Sequence, residues 1–118
     1  MIPNCKQLKY SSEEIETGKK WINDEKIYRK VITSTSFLAP NSSINISHQI
    51  SNLKEIIKAD LMVTYQNEFY PSPVSYDDTT KIATINKINS TNIILRSGNE
   101  SWGSTTFTII LEYTKNES

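Results

Sequence analysis

The residues best suited to binding chemistry are three aromatics and three polar neighbours. Trp102 lies between Ser101 and Gly103 in the most polar, glycine-bearing segment, and Tyr70 and Tyr76 bracket Pro71-Ser72-Pro73. Aromatic rings suit the C–H faces of sugars, while amides and carboxylates set a ligand's orientation. Tyr70, Tyr76, Asp77, Asp78, Asn99 and Trp102 therefore form a candidate sugar-binding platform; core packing or a subunit contact is the competing reading of the same rings. Catalytic constellations are poorer. His48 is the single imidazole, on an alternating segment beside Ser47, and no Gly-x-Ser-x-Gly elbow accompanies it. Asp77-Asp78 lacks the further acids of a calcium loop, and Glu13, Glu14 and Glu16 read as a solvated, helix-capping cluster. No acidic residue sits in an aromatic-lined context that suggests the paired carboxylates of a glycosidase. Cys5, the lone cysteine, forms neither an intrachain disulfide nor a cysteine zinc cage. The expectation is a chain with no catalytic residues, no metal and no cofactor.

The elements that must position these residues are strands. Ile27-Tyr28-Arg29-Lys30-Val31-Ile32 follows Trp21-Ile22 across Asn23-Asp24-Glu25, a hairpin turn. Ser43-Ile44-Asn45-Ile46-Ser47 alternates strictly, and Leu61, Val63 and Tyr65 share one face before Gln66-Asn67-Glu68 turns the chain into Phe69-Tyr70. Pro71 and Pro73 end that run, because a central strand cannot spare two ladder donors. A second hairpin turns at Asn89-Ser90, and Phe107, Ile109, Leu111 and Tyr113 alternate with Thr106, Thr108, Ile110 and Glu112. Two helical features are expected as well. Ser11 with Glu14 has capping-box spacing, with Gly18 stopping the turn, and Ile50, Leu53, Ile56 and Ile57 have helical spacing. The resulting expectation is an all-β, antiparallel, jelly-roll-like sandwich of seven or eight short strands with at most a short helical turn. Residues 1–17 form an N-terminal extension and 18–118 the sandwich domain.

Composition agrees. The chain has 118 residues, enough for one domain that buries roughly two-thirds of its unfolded surface. It holds 15 Ser, 12 Thr, 11 Asn and 17 Ile, a mixture that weakens helix interiors and fits half-buried pleated surfaces. Thirteen basic residues balance thirteen acidic ones, which removes the electrostatic footprint of a nucleic-acid binder and the basic patch of a peripheral membrane protein. No apolar run approaches the roughly 20 residues of a membrane helix, and the polar opening residues are not a signal peptide. The expected partners thus exclude nucleic acid and membrane insertion.

Three segments carry a resemblance. Tyr10-Ser11-Ser12-Glu13-Glu14, Gly18, then Trp21-Ile22-Asn23-Asp24-Glu25-Lys26-Ile27-Tyr28-Arg29-Lys30 resembles the opening of a domain common in bacteriophage and prophage structural proteins, approximately Y-S-x-E-E, G, W-I-D-G-K-x-[IL]-Y-R-K. His48 followed by Ile50-Ser51-Asn52-Leu53 is similar to its middle, and Ile110-Leu111-Glu112-Tyr113-Thr114-Lys115 to its closing strand. In that family the domain is the distal, C-terminal part of tail-fibre or baseplate receptor-binding proteins. The resemblance implies a homotrimeric β-sandwich at the virion tail tip, made in the bacterial host cytoplasm, that meets other tail proteins and binds a cell-surface carbohydrate without catalysis. It supplies no catalytic motif, and Trp21, Tyr28 and Arg29 read as packing and hairpin residues. The family's Asp-Gly turn is Asn23-Asp24 here, and no fibre shaft precedes the domain in this chain. Apolar residues on both faces of Ile93-Ile94-Leu95, with Ile110 opposite the Phe107–Tyr113 face, make Ile93, Ile94 and Ile110 the candidate contacts between copies. The rival expectations are a structural virion protein, either a decoration or a baseplate accessory, and a tail-associated glycan hydrolase or esterase.

Overall fold

The computed structural model describes residues 10–71, 74–75, 82–98 and 103–116. Nine strands are present among them: β1 (Ile15–Lys20), β2 (Lys26–Leu38), β3 (Ser43–Ser47), β4 (Leu53–Tyr65), β5 (Glu68–Pro71), β6 (Val74–Ser75), β7 (Ile82–Ile88), β8 (Asn92–Ser97) and β9 (Gly103–Lys115). They form two antiparallel sheets, ordered β1-β2-β9-β4-β5 and β3-β8-β7-β6. β2 pairs β9 in one sheet while β3 pairs β8 in the other, the nested arrangement of a jelly-roll-like sandwich. No helix among the described residues is long and apolar enough to cross a membrane.

Alternation builds the core. Phe107, Ile109, Leu111 and Tyr113 on β9 face inward with Ile32 and Leu38 of β2 and Leu61 and Val63 of β4. Opposite them the second sheet contributes Ile46, Ala83, Ile93 and Leu95. Turns with left-handed residues join neighbouring strands. A short 3-10 turn, Ile22–Asp24, carries Asn23 and Asp24 (φ 64° and 61°) between β1 and β2, and the two residues Gln66 and Asn67 (φ 51° and 64°) connect β4 to β5. Asn and Asp tolerate this left-handed region better than most side-chain-bearing residues, so Asn23-Asp24 closes the expected hairpin without a glycine. At the third turn the Asn89 Oδ1 accepts from the backbone N–H of Thr91 (3.0 Å) and Asn92 (2.7 Å).

Four expectations are corrected. The helical spacing at Ile50, Leu53, Ile56 and Ile57 forms no helix: Ile50 lies in the crossover before β4, and the other three lie on that bulged strand. Register shifts between Leu53 and Glu55 and between Ile56 and Lys58 let Leu53, Ile56 and Ala59 pair with Lys115, Tyr113 and Leu111 of β9. Each bulge inserts an extra residue, so three-residue steps on β4 match two-residue steps on β9. Ser11 does not cap a helix; its Oγ accepts from the Glu13 N–H at 3.0 Å, and β1 follows directly. Gly18 (φ 85°) stops nothing, since it supplies the left-handed conformation inside the bulge of β1. The boundary between residues 17 and 18 falls within β1, where the buried Thr17 hydroxyl donates to the Ile27 carbonyl at 2.9 Å. Lastly, Ile93 is sealed in the core and is no contact between copies. Ile94 and Ile110 are half-buried on the outer faces of different sheets, so the three do not form one surface.

Candidate functional site

One end of the sandwich gathers the β1–β2 hairpin, the crossover from β3 to β4, and the end of β9. Within the hairpin Trp21 N–H donates to the Glu25 carbonyl (2.7 Å) and Asp24 N–H to the Trp21 carbonyl (3.1 Å). The Trp21 indole N–H reaches Glu55 Oε1 on β4 at 3.2 Å, which fastens the hairpin to the sheet. The crossover is fixed by His48, whose side chain is almost completely buried. Its Nδ1 accepts from the Ile50 N–H (3.0 Å), so Nε2 carries the hydrogen and donates to the Asn89 carbonyl (2.9 Å). Lys30 Nζ donates to the His48 and Gln49 carbonyls at 2.7 and 3.2 Å. With both ring nitrogens holding backbone, His48 is a strut between two turns.

Between these parts opens a cavity of about 450 Å³ lined by Glu25, Lys26, Tyr28, Asn52, Lys54, Lys115 and Asn116. Asn52 takes a left-handed conformation (φ 58°) that turns the crossover into β4, and its carbonyl accepts the Asn116 N–H at 2.7 Å. The floor is aromatic. Tyr28 stacks on Tyr113 with centroids 6.1 Å apart and planes 22° from parallel, and Lys115 Nζ lies 5.4 Å from the Tyr28 ring centre.

Every lysine at the cavity has its own carboxylate. Lys54 is ion-paired with Glu25, Lys115 with Glu14 (2.9 Å) and Lys26 with Glu16 (3.9 Å). The hydrogen bond to Glu25 holds the Lys54 ammonium above its ordinary value, against partial desolvation and with help from the charges of Glu25 and Glu55. Glu14 also accepts a 2.6 Å hydrogen bond from the Tyr113 hydroxyl. Burial first, and then this bond, the Glu14 charge and the neighbouring Tyr28, push the Tyr113 phenol well above its ordinary value. The mouth therefore offers donors and acceptors side by side with little net charge. Among the described residues no three His, Cys, Asp or Glu side chains converge as a metal site.

The platform anticipated from sequence falls almost wholly outside the described residues. Of its six residues, only Tyr70 is described; Tyr76, Asp77, Asp78, Asn99 and Trp102 lie outside the described residues. Tyr70 is half-buried, packs against the core, and donates its hydroxyl to Glu68 Oε1 at 3.0 Å. It sits on β5 opposite Val63, toward the end of the sandwich where β9 begins and away from the lysine-lined cavity. Sequence reasoning missed that cavity because its lining comes from segments far apart in the chain. A usable signal existed nonetheless. Glu25, Lys26 and Tyr28, then Asn52, then Lys115 fall one after another in the three segments that carry the resemblance. The chain matches no family model, no curated protein and no solved structure.

Proposed function

We propose that this chain is a non-enzymatic binding module that recognises a bacterial cell-surface glycan as part of a phage or prophage tail tip, with the lysine-lined cavity as the site. One observation carries the reading. Segments around residues 21–30, 48–53 and 110–115, which resemble a receptor-binding domain, are distant in sequence yet converge on one polar, aromatic-floored cavity. Its volume of about 450 Å³ lies within the range of small-ligand sites.

The chemistry favours a neutral, hydroxyl-rich ligand. A sugar hydroxyl both donates and accepts, so vicinal hydroxyls can bridge a lysine and its paired glutamate without leaving either charge uncompensated. The Asn52 and Asn116 amides extend the donor–acceptor pattern, and the Tyr28 ring supplies an apolar patch for sugar C–H groups. An anionic ligand is less suited, because it would compete with Glu14, Glu16 and Glu25 for the three ammonium groups.

The test is a glycan array followed by titration of any hit against a Lys26→Ala/Lys54→Ala double variant. Both side chains are substantially exposed, so folding is expected to survive. Affinity should fall at least about tenfold, near 1.4 kcal/mol. No bound glycan, or an unchanged affinity, would overturn the reading. The second reading, a structural virion protein, is favoured by one observation: Phe37, Met62 and Phe69 are exposed together on the outer face of the five-stranded sheet.

A further inference from the structure

The two sheets have edges of very different character. β1 pairs with β2 only between Lys26 and Arg29, and the Val31 N–H donates to the Ser11 carbonyl at 2.9 Å just beyond. Above that point β2 continues to Leu38 with β9 on one side and no strand among the described residues on the other. Backbone groups alternate along a strand. Because the Val31 N–H points to the open side, those of Thr33, Thr35 and Phe37 do too, while the even-numbered residues bond to β9.

Such an edge is normally protected by charge, proline, a bulge or shortness. The other edges show these devices. β1 has a bulge together with Lys19 and Lys20, β5 has four residues ending in Pro71, β3 has five residues and β6 two. The open stretch of β2, Ile32-Thr33-Ser34-Thr35-Ser36-Phe37-Leu38, has none of them. It is uncharged, holds no proline, and keeps an unbroken register with β9 from Tyr28 to Leu38. A groove of about 270 Å³ runs beside the first part of this stretch, between β2 and β3.

We propose that this edge is an interaction surface whose occupant is the same edge of a second copy, paired antiparallel about a two-fold axis at Thr35. The strand is self-complementary in that register. Thr35 faces Thr35 of the partner subunit, and each Phe37 faces a threonine at position 33 across the axis, an aromatic and β-branched pair of a favourable kind. The outward groups of positions 33, 35 and 37 then exchange about six backbone hydrogen bonds. No charge meets a like charge, because the paired stretch carries none. The result is one continuous sheet spanning both copies, with Phe37 (59% exposed in one copy) covered on its edge side.

Light scattering at micromolar concentration, combined with two substitutions at the axis, tests this. The wild type should run as a dimer rather than as the homotrimer that the resemblance implies. Thr35→Lys sets two ammonium groups face to face at the axis and should shift the protein to monomer, with at least about a tenfold weaker self-association. Thr35→Cys in a Cys5→Ser background should give a disulfide-linked dimer on mild oxidation, since hydrogen-bonded antiparallel partners stand about 5.5 Å apart at Cα, within disulfide range. Circular dichroism on both variants confirms that the sandwich is intact. A wild-type monomer would overturn the proposal and leave the edge to a strand of another protein. An oligomer that neither substitution changes would overturn it too.

Discussion

The Tyr113 hydroxyl offers a direct test of how the buried floor of the cavity is held. The residue is fully buried, and its hydroxyl donates to Glu14 at 2.6 Å, so ionising it inside the protein would place two negative charges in contact. Its folded pKa is therefore raised above the ordinary value of 10.0. The sign follows from linkage. Below pH 10 the phenol is protonated in both states and its contribution is complete; above it, the unfolded chain releases the proton while the folded chain retains it. Stability from this group is thus lost as pH rises, by about 1.4 kcal/mol per pH unit. At pH about 11.5 the loss amounts to about 2 kcal/mol. Tyr113→Phe removes both the bond and the dependence. At neutral pH it should cost about 1.5–3 kcal/mol, as expected for a hydrogen bond to a charged group. Urea unfolding of both proteins from neutral to alkaline pH, followed by tryptophan fluorescence, gives the difference directly, with the remaining tyrosines and lysines cancelling. The two stability curves should converge above pH 10. Parallel curves would refute a phenol held protonated by burial and Glu14.

Two further outcomes concern β9. Thr114 is fully buried, and its Oγ1 is the one buried side-chain oxygen or nitrogen among the described residues without a hydrogen-bond partner. Thr114→Val keeps the shape and removes the stranded hydroxyl, so denaturant unfolding should show a gain of about 1 kcal/mol, and a loss would mean that the hydroxyl is satisfied. Arg29, 6% exposed, donates from Nε (2.9 Å) and Nη2 (2.7 Å) to Glu112 Oε2. Glu112→Ala should cost about 3 kcal/mol by removing the carboxylate from a buried guanidinium, whereas Arg29→Met with Glu112→Leu should restore most of it. Equal losses in the single and double variants would contradict this.

The readable parts of the fold are those governed by local rules. Turn-forming residues marked the hairpins, through positive φ at Asn23-Asp24 and Gln66-Asn67 and through side-chain hydrogen bonds at Asn89, and the two-residue period of residues 107–113 marked the central strand. β4 was misread for a physical reason. Two bulges change its inward period from two to three residues, and Leu53-x-x-Ile56-x-x-Ala59 then imitates a helix face. Only the partner strand distinguishes these cases, and a single sequence does not display the partner. The lysine-lined cavity was hidden for a related reason. Lys26, Lys54 and Lys115 are unremarkable charges in their own segments and become neighbours only once β2, β9 and β4 lie side by side. The open edge of β2 is legible only in part. The uncharged run is plain in the sequence, but that β1 stops short of it is a fact of pairing.

The central place of β9 also has a consequence for biosynthesis. β2 and β4 do not touch as neighbours in the sheet; each is bonded to β9 along most of its length, from Tyr28 to Leu38 and from Leu53 to Thr64. Both leave the ribosome before the strand that joins them has been made. At about 5–20 residues per second the interval from the end of β4 to the start of β9 lasts seconds. For that time two long, β-prone stretches stand unzipped, and the five-stranded sheet closes only when its keystone is delivered.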